Sequence, residues 1–232
     1  MLKLTYKILN RVLYSGKFGD VKLRRELIQL LPKKSINYCD IGGFDGSFYL
    51  FLQKELNIKQ GVIFEPQKKY FQLLKNKFEK NPAVSVYPCA VSDQPGELEF
   101  YENALPATSS LLPADEQLLG KEINISGTKR SVEVVTLDSM NLFEGEPLGL
   151  MKLDIQGAEL HALMGATTTL KRTEYIWIEV SFKPLYKGSP IFADIVSFLE
   201  SQQFIMVNIL PGFKSAEGEL LQADVLFKKR GL

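Results

Sequence analysis

The sequence predicts an α/β protein built on a mainly parallel, seven-stranded sheet with helices on both faces. Three observations lead there. Short β-rich runs alternate with helical stretches from Ile36 onward, the rhythm of βαβ units. A glycine turn joins the first run to the first helix, where a sheet of this kind holds a ligand. The 232 residues are 45% hydrophobic and 24% charged, which suits one globular α/β domain and excludes a disordered, collagenous or coiled-coil chain.

The elements follow in order. Ile36–Ile41 is an apolar run carrying Asp40 near its end, and Ser47–Leu56 after the turn is helical. Gly61–Glu65 is the second strand. Pro66 suits the first turn of a helix running to about Lys80, because its fixed φ matches and its missing N–H is not needed there. Val84–Tyr87 is the third strand, Leu148–Asp154 the fourth, Ala158–Leu170 a helix and Tyr175–Val180 the fifth strand. Ser189-Pro190 reads as the cap and start of a helix through Gln202. Phe204–Leu210 and Val225–Lys228 complete the seven.

Residues 93–147 break this rhythm. Gly96–Tyr101 and Arg130–Thr136 are two extra strands around a Ser/Thr-rich stretch, Asn103–Lys129. An insertion over about 96–136, beside the carboxyl ends of the sheet, either supplies substrate contacts or is a surface loop.

Charge is nearly balanced, 28 basic against 27 acidic residues, so no overall field calls for nucleic acid. The balance hides an asymmetry. Residues 1–34 carry nine basic side chains against two acidic ones, and form a basic helical segment outside the domain at 35–232. Lys3, Lys7 and Arg11 interrupt its apolar residues, so neither a cleaved signal peptide nor a membrane span is expected. The segment either packs as a cap or touches an anionic surface. The expected location is cytoplasmic, with this segment as the place for any peripheral contact with the inner membrane face. Oligomeric state is left open.

The turn reads Asp40-Ile41-Gly42-Gly43-Phe44-Asp45-Gly46-Ser47. A dinucleotide site would require glycine where Phe44 and Ser47 stand, so that reading fails on spacing. It also fails on charge, because Asp40 would repel a pyrophosphate. S-adenosylmethionine carries a sulfonium and an ammonium and no phosphate, so an acid there favours it. Glu65, at the end of the second strand, is placed to accept both ribose hydroxyls. The residues assigned to this cofactor are Asp40, Gly42, Gly43, Phe44 and Gly46 of the turn, then Glu65 and Pro66. Ala90 and Val91, following Cys89, should line the adenine pocket.

The ordered motifs Tyr38–Gly46 (YCDIGGFDG), Val62–Pro66 (VIFEP), Ala90–Gly96 (AVSDQPG), Ser109–Leu111 (SSL), Val135–Asp138 (VTLD) and Met151–Glu159 (MKLDIQGAE) resemble the FkbM family of methyltransferases. Ile176–Val180 and Ala223–Phe227 fit as well. The resemblance covers roughly residues 36–228 and implies the Rossmann-like class I methyltransferase fold. It also implies methyl transfer from S-adenosylmethionine to an oxygen, with a small-molecule, sugar or glycan hydroxyl as acceptor. The chain departs from the pattern at Gln156, where glutamate is usual, at Ser181, often histidine, and at Phe44, where many methyltransferases carry glycine.

Such a transfer needs a group to take the hydroxyl proton. Asp154, ending the fourth strand beside the first, is the expected base or acceptor-orienting residue, and Glu179 at the end of the fifth strand is the second catalytic candidate. Glu159 reads equally as a site residue or a helix-end acid, and Lys152 as an ion-pair partner of a nearby carboxylate. No metal site is assigned. The lone His161 lies beside an inward stripe of Leu160, Leu163, Met164 and Thr167 and is expected to be structural. Cys39 and Cys89 are expected to be buried thiols. Two other functions compete: an RNA ribose methyltransferase gripping phosphates with residues 1–34, and a non-catalytic module that keeps the fold.

Overall fold

The computed structural model describes residues 28–31 and 33–231. The expectations about the basic segment therefore lie largely outside the described residues. Within them, Ile28 and Leu31 are buried in the same apolar cluster as Tyr38 and Trp177, and Lys34 pairs with Glu174 at 2.7 Å.

The main sheet contains β1 (Ile36–Ile41), β2 (Ile58–Phe64), β3 (Val84–Tyr87), β7 (Leu148–Leu153), β8 (Thr173–Ser181), β9 (Phe204–Pro211) and β10 (Gln222–Lys229). Their spatial order is β3-β2-β1-β7-β8-β10-β9, and β10 alone runs against its neighbours. Every residue of β1 and β7 is buried, as central parallel strands covered on both faces must be. One face is covered by α1 (Ser47–Glu55) and α2 (Lys68–Phe78), through Tyr49, Leu52, Leu74 and Phe78. The other is covered by α4 (Glu159–Met164), α5 (Thr167–Lys171) and α6 (Phe192–Ser201). From β1 the chain winds outward through β2 and β3, then returns to β7 on the other side of β1. That switch opens a crevice at the carboxyl ends of β1 and β7.

The insertion is not a bare loop. β4 (Ala90–Val91), β5 (Gly96–Asn103) and β6 (Gly127–Val135) form a second sheet in the order β4-β6-β5. Between β5 and β6, Leu105 and, around the short helix α3 (Leu119–Glu122), Leu119 and Ile123 build a small core with Leu185, Tyr186, Phe213 and Leu221. This core holds the insertion against the end of the main sheet.

Several element boundaries differ from expectation. Pro66 precedes its helix: Gln67 is the N-cap of α2. The last helix begins at Phe192, with Asp194 accepting the Ile191 N–H at 2.9 Å, so Ser189-Pro190 lies before the cap. The expected helix over 158–170 is two helices broken at Gly165, where an added Cβ would sit 2.1 Å from the Ser92 carbonyl oxygen. Because of that break the inward residues are Ala162, Leu163, Ala166 and Leu170, while Met164 and Thr167 face outward. Asp138, from the segment after β6, caps the second of these helices. Its carboxylate accepts the Thr168 and Thr169 N–H groups at 2.9 and 2.8 Å, and those bonds outweigh burial and hold its pKa below the ordinary value.

Cys39 and Cys89 are both free and buried. Burial raises the Cys39 thiol and pushes Cys89 up to about 12, so neither is a ready nucleophile. Among the described residues no helix is long and apolar enough to cross a membrane.

Candidate active site

A cavity of about 510 Å³ opens over the crevice. Its wall runs from Gly42, Gly43 and Phe44, past Glu65, Pro66 and Gln67, along Cys89, Ala90 and Val91, to Lys152, Asp154, Gln156 and Glu179. Pro106, Ala107, Ser109 and Leu111 of the insertion close one side. Leu210–Lys214 and Asp224 close the other.

Glu65, 2% exposed, is held from two directions. Its carboxylate accepts the Phe44 N–H at 2.8 Å and the Gln67 N–H at 2.8 Å, one on each oxygen. Phe44 reaches it by adopting φ 47°, a left-handed conformation rare for a bulky side chain. That costs of order 1–3 kcal/mol, partly offset by the ring contact with Tyr70 at 4.1 Å between centroids. Burial raises the Glu65 pKa to about 7, against the opposing pull of the two N–H bonds.

Asp40 and Gly46 do not reach the cavity wall, contrary to expectation. Asp40 is completely buried beneath the turn, where its Oδ1 lies 3.2 Å from Lys152 Nζ. Burial raises its pKa, and the Lys152 ammonium and the Tyr38 hydroxyl oppose that rise. Gly46 packs against Leu74 and Phe78 instead. The physical reason is the pleat: Tyr38 and Asp40 share one face of β1, and that face looks into the layer of α1 and α2 rather than along the strand.

The glycines of the turn serve packing. A Cβ on Gly42, at φ +84°, would sit 2.1 Å from the Asp154 carbonyl oxygen, and one on Gly43 would sit 2.1 Å from Ile63. The turn and the end of β7 are thus pressed together, with the Asp154 N–H bonded to the Ile41 carbonyl at 3.1 Å. Gly42→Ala is expected to destabilise the domain by more than ~1 kcal/mol, read by thermal melting. An unchanged melting temperature would mean that the two turns separate freely.

Lys152 links the two halves. Its Nζ is 3.2 Å from Asp40, 3.6 Å from Asp154 and 3.2 Å from the Gly42 carbonyl. Burial disfavours its charge, but Asp40, Asp154 and Asp224 outweigh burial and raise its pKa. With Asp154 and Asp224 on the wall and Asp40 beneath it, carboxylates outnumber the one ammonium here, an arrangement that favours a sulfonium and disfavours phosphate.

Asp154 and Glu179 are brought together by a residue that the sequence marked only as a departure. The Gln156 side-chain amide donates to Asp154 at 3.0 Å and to Glu179 at 2.8 Å. Its oxygen accepts the Tyr186 hydroxyl at 2.8 Å, and its backbone has φ 58°. Ser110 of the insertion donates to the Gln156 carbonyl at 2.8 Å. Glu159 turns away from the cavity and accepts the Ile155 and Gly157 N–H groups, which makes it the brace of this loop. Burial lifts its pKa to about 7. Among the described residues no cluster of three or more His, Cys, Asp or Glu side chains is arranged to hold a metal ion.

Gln67, Gln156, Tyr186, Gln222 and Asp224 were not assigned to the site from sequence. A signal existed only for Gln156, through its departure from the motif.

Residues 40–206 match the model of the methyltransferase FkbM domain. The chain belongs to the FkbM methyltransferase family. It is 28% identical over 223 residues to the 2-O-methyltransferase NoeI of Sinorhizobium fredii, covering 88% of this chain and 85% of that one. The FkbM methyltransferase from Methylobacillus flagellatus superposes with a TM-score of 0.52 at 15% identity. The match takes in 82% of this chain but 43% of that protein, so the chain spans less than half of its length. Magnesium protoporphyrin IX methyltransferase from Synechocystis, solved with bound S-adenosylmethionine, gives a TM-score of 0.52 at 11% identity, over 94% of this chain and 81% of that one. A putative tRNA methyltransferase from Streptococcus pneumoniae gives 0.51 at 11%, over 91% and 72%. Likeness at that level establishes the class I methyltransferase fold and not the acceptor. This FkbM chain is accordingly an enzyme, a methyltransferase with a Rossmann-like seven-stranded sheet.

Proposed function

We propose that this methyltransferase carries a methyl group from S-adenosylmethionine to a hydroxyl of a sugar, glycan or secondary metabolite. The observation that carries the reading is one cavity with Glu65 at one end and the Asp154–Glu179 pair at the other. Each Glu65 oxygen is fixed by a backbone N–H and keeps a lone pair for a ribose hydroxyl. Phe44, Pro66, Cys89, Ala90 and Val91 offer an apolar slot of the kind an adenine fills. The acidic wall near Lys152 suits the cationic end of the same molecule.

Held by Glu65 and the apolar slot, S-adenosylmethionine would supply an electrophilic methyl for the acceptor oxygen. Asp154 receives the proton the hydroxyl gives up. Its side chain is 40% exposed and 3.6 Å from the Lys152 ammonium, so it is reachable by an acceptor in the cavity. The name of the Sinorhizobium relative supports an oxygen as the acceptor atom. The surplus of carboxylates argues against RNA, whose phosphates they would repel. Residues 35–232 are read as the catalytic domain and the basic segment as a cap on it, a reading supported by the burial of Ile28 and Leu31.

Glu65→Ala is expected to weaken S-adenosylmethionine binding by roughly ten- to a hundred-fold, since a hydrogen bond to a charged group contributes ~1.5–3 kcal/mol. Binding should also depend on pH. The ribose hydroxyls need the ionised acid, and the pKa of Glu65 is raised to about 7, so affinity falls as pH drops through that value. Calorimetry of the folded variant decides the matter: unchanged affinity removes Glu65, and with it the cofactor assignment.

A further inference from the structure

Gln156 occupies a place where two acids meet. One nitrogen, Nε2, donates to Asp154 Oδ1 at 3.0 Å and to Glu179 Oε2 at 2.8 Å. The two acids orient the amide: turning it over would aim its carbonyl at both carboxyl groups. Burial and the surrounding acids raise the Tyr186 pKa, so its phenol keeps its proton and lies between two acceptors, Gln156 Oε1 at 2.8 Å and the Thr108 carbonyl at 2.9 Å. Gln222 Nε2 gives the same Glu179 oxygen a second N–H bond at 2.8 Å. Glu179 Oε2 is thus occupied by two donors, and any proton on this acid belongs on Oε1.

The charged neighbours treat the two acids differently. Glu179 is faced by Asp154 after β7, Asp224 on β10 and Glu159 on α4. The Lys152 ammonium of β7 and the neutral Tyr186 phenol also face it. Burial and the three carboxylates push its pKa well above the ordinary value, and Lys152 opposes them less strongly. Asp154 is partly exposed and lies directly beside Lys152.

We propose that Gln156 is a positioning residue that sorts these two acids, holding Asp154 as the anion that takes the hydroxyl proton and Glu179 as the neutral acid that donates Oε1–H to the acceptor. The proposal rests on the assignment of Asp154 as the base. A carboxylate at 156 could not donate to both neighbours while ionised, so the amide is what allows the two acids to stand this close with one proton between them. Glu179 then contributes to acceptor recognition as a hydrogen-bond donor.

Isotope-edited infrared difference spectroscopy of the ligand-free full chain tests this without an acceptor. At neutral pH a protonated-carboxyl band is expected that Glu179→Gln removes and Asp154→Asn leaves in place. In Gln156→Met, which keeps length but loses both donors, that band should shift in frequency, because the N–H bond on Glu179 Oε2 is lost. A purely structural role would lower the melting temperature of this variant and leave the band where it was. If Glu179→Gln removes no band, or Gln156→Met leaves it unshifted, the proposal fails. A failure of Asp154 as the base shows itself separately, as near-normal turnover in Asp154→Asn with the Glu179 band intact.

Discussion

Asp154→Asn is expected to keep S-adenosylmethionine affinity nearly unchanged while turnover on a hydroxyl acceptor falls by ~10²–10⁴-fold, the usual contribution of a positioned general base. The substitution keeps shape and removes charge. The Asp154 backbone, whose carbonyl fills the space left by Gly42, is untouched, so the fit between turn and strand end survives. Lys152 retains Asp40 at 3.2 Å and the Gly42 carbonyl at 3.2 Å, so the buried pair below also survives. Equilibrium binding and initial rates separate the two effects. Near-normal turnover would move the base assignment to Glu179, which shares the Gln156 amide with Asp154.

Lys152→Met is expected to destabilise the domain by about 3–5 kcal/mol, because it strands a buried aspartate. Asp40 has no exposure at all, and the Lys152 side chain has 7%. At ~2–4 °C per kcal/mol for a domain of this size the melting temperature should fall by roughly ten degrees. The double variant Asp40→Asn with Lys152→Met should recover much of the loss, since it removes both charges together. No recovery would mean that Lys152 acts mainly through the Gly42 carbonyl at 3.2 Å and the Phe48 ring, whose centroid is 5.4 Å from Nζ. The pH dependence has a definite sign. The Lys152 pKa is raised, so its contribution is complete through neutral pH and is lost only as pH climbs through the strongly basic range.

Local chemistry made much of this molecule legible in the sequence. The run over residues 36–41 and the third strand Val84–Tyr87 coincide with the observed strands, because hydrophobic runs bounded by turn residues are short-range signals. The turn after β1, the acid at Glu65 and the pair Asp154 and Glu179 at adjacent strand ends follow from the same pattern, since a βαβ rhythm dictates which strand ends lie together. All but Asp40 and Gly46 of the residues assigned to cofactor and catalysis line one cavity. The break at Gly165 escaped the pattern because its cause is a contact with Ser92, far away in the chain.

Periodicity and residue type at strand ends are enough to define the sheet, its switch point and the acids around it. Tertiary structure alone decided which way those side chains point and what sits between them. Asp40 looked like a cofactor ligand in the sequence, yet the pleat of β1 turns it into the helix layer, where a lysine 112 residues later in the chain meets it. Gln156 looked like a weakened motif position, yet Tyr186, 30 residues away, and Glu179, 23 residues away, make its amide the bridge of the site. Hydrogen bonds of that kind need distances and directions correct to a few tenths of an ångström. Residue spacing carries no such information across separate elements; only the packed core, which sets the distance between strands and the tilt of each loop, supplies it.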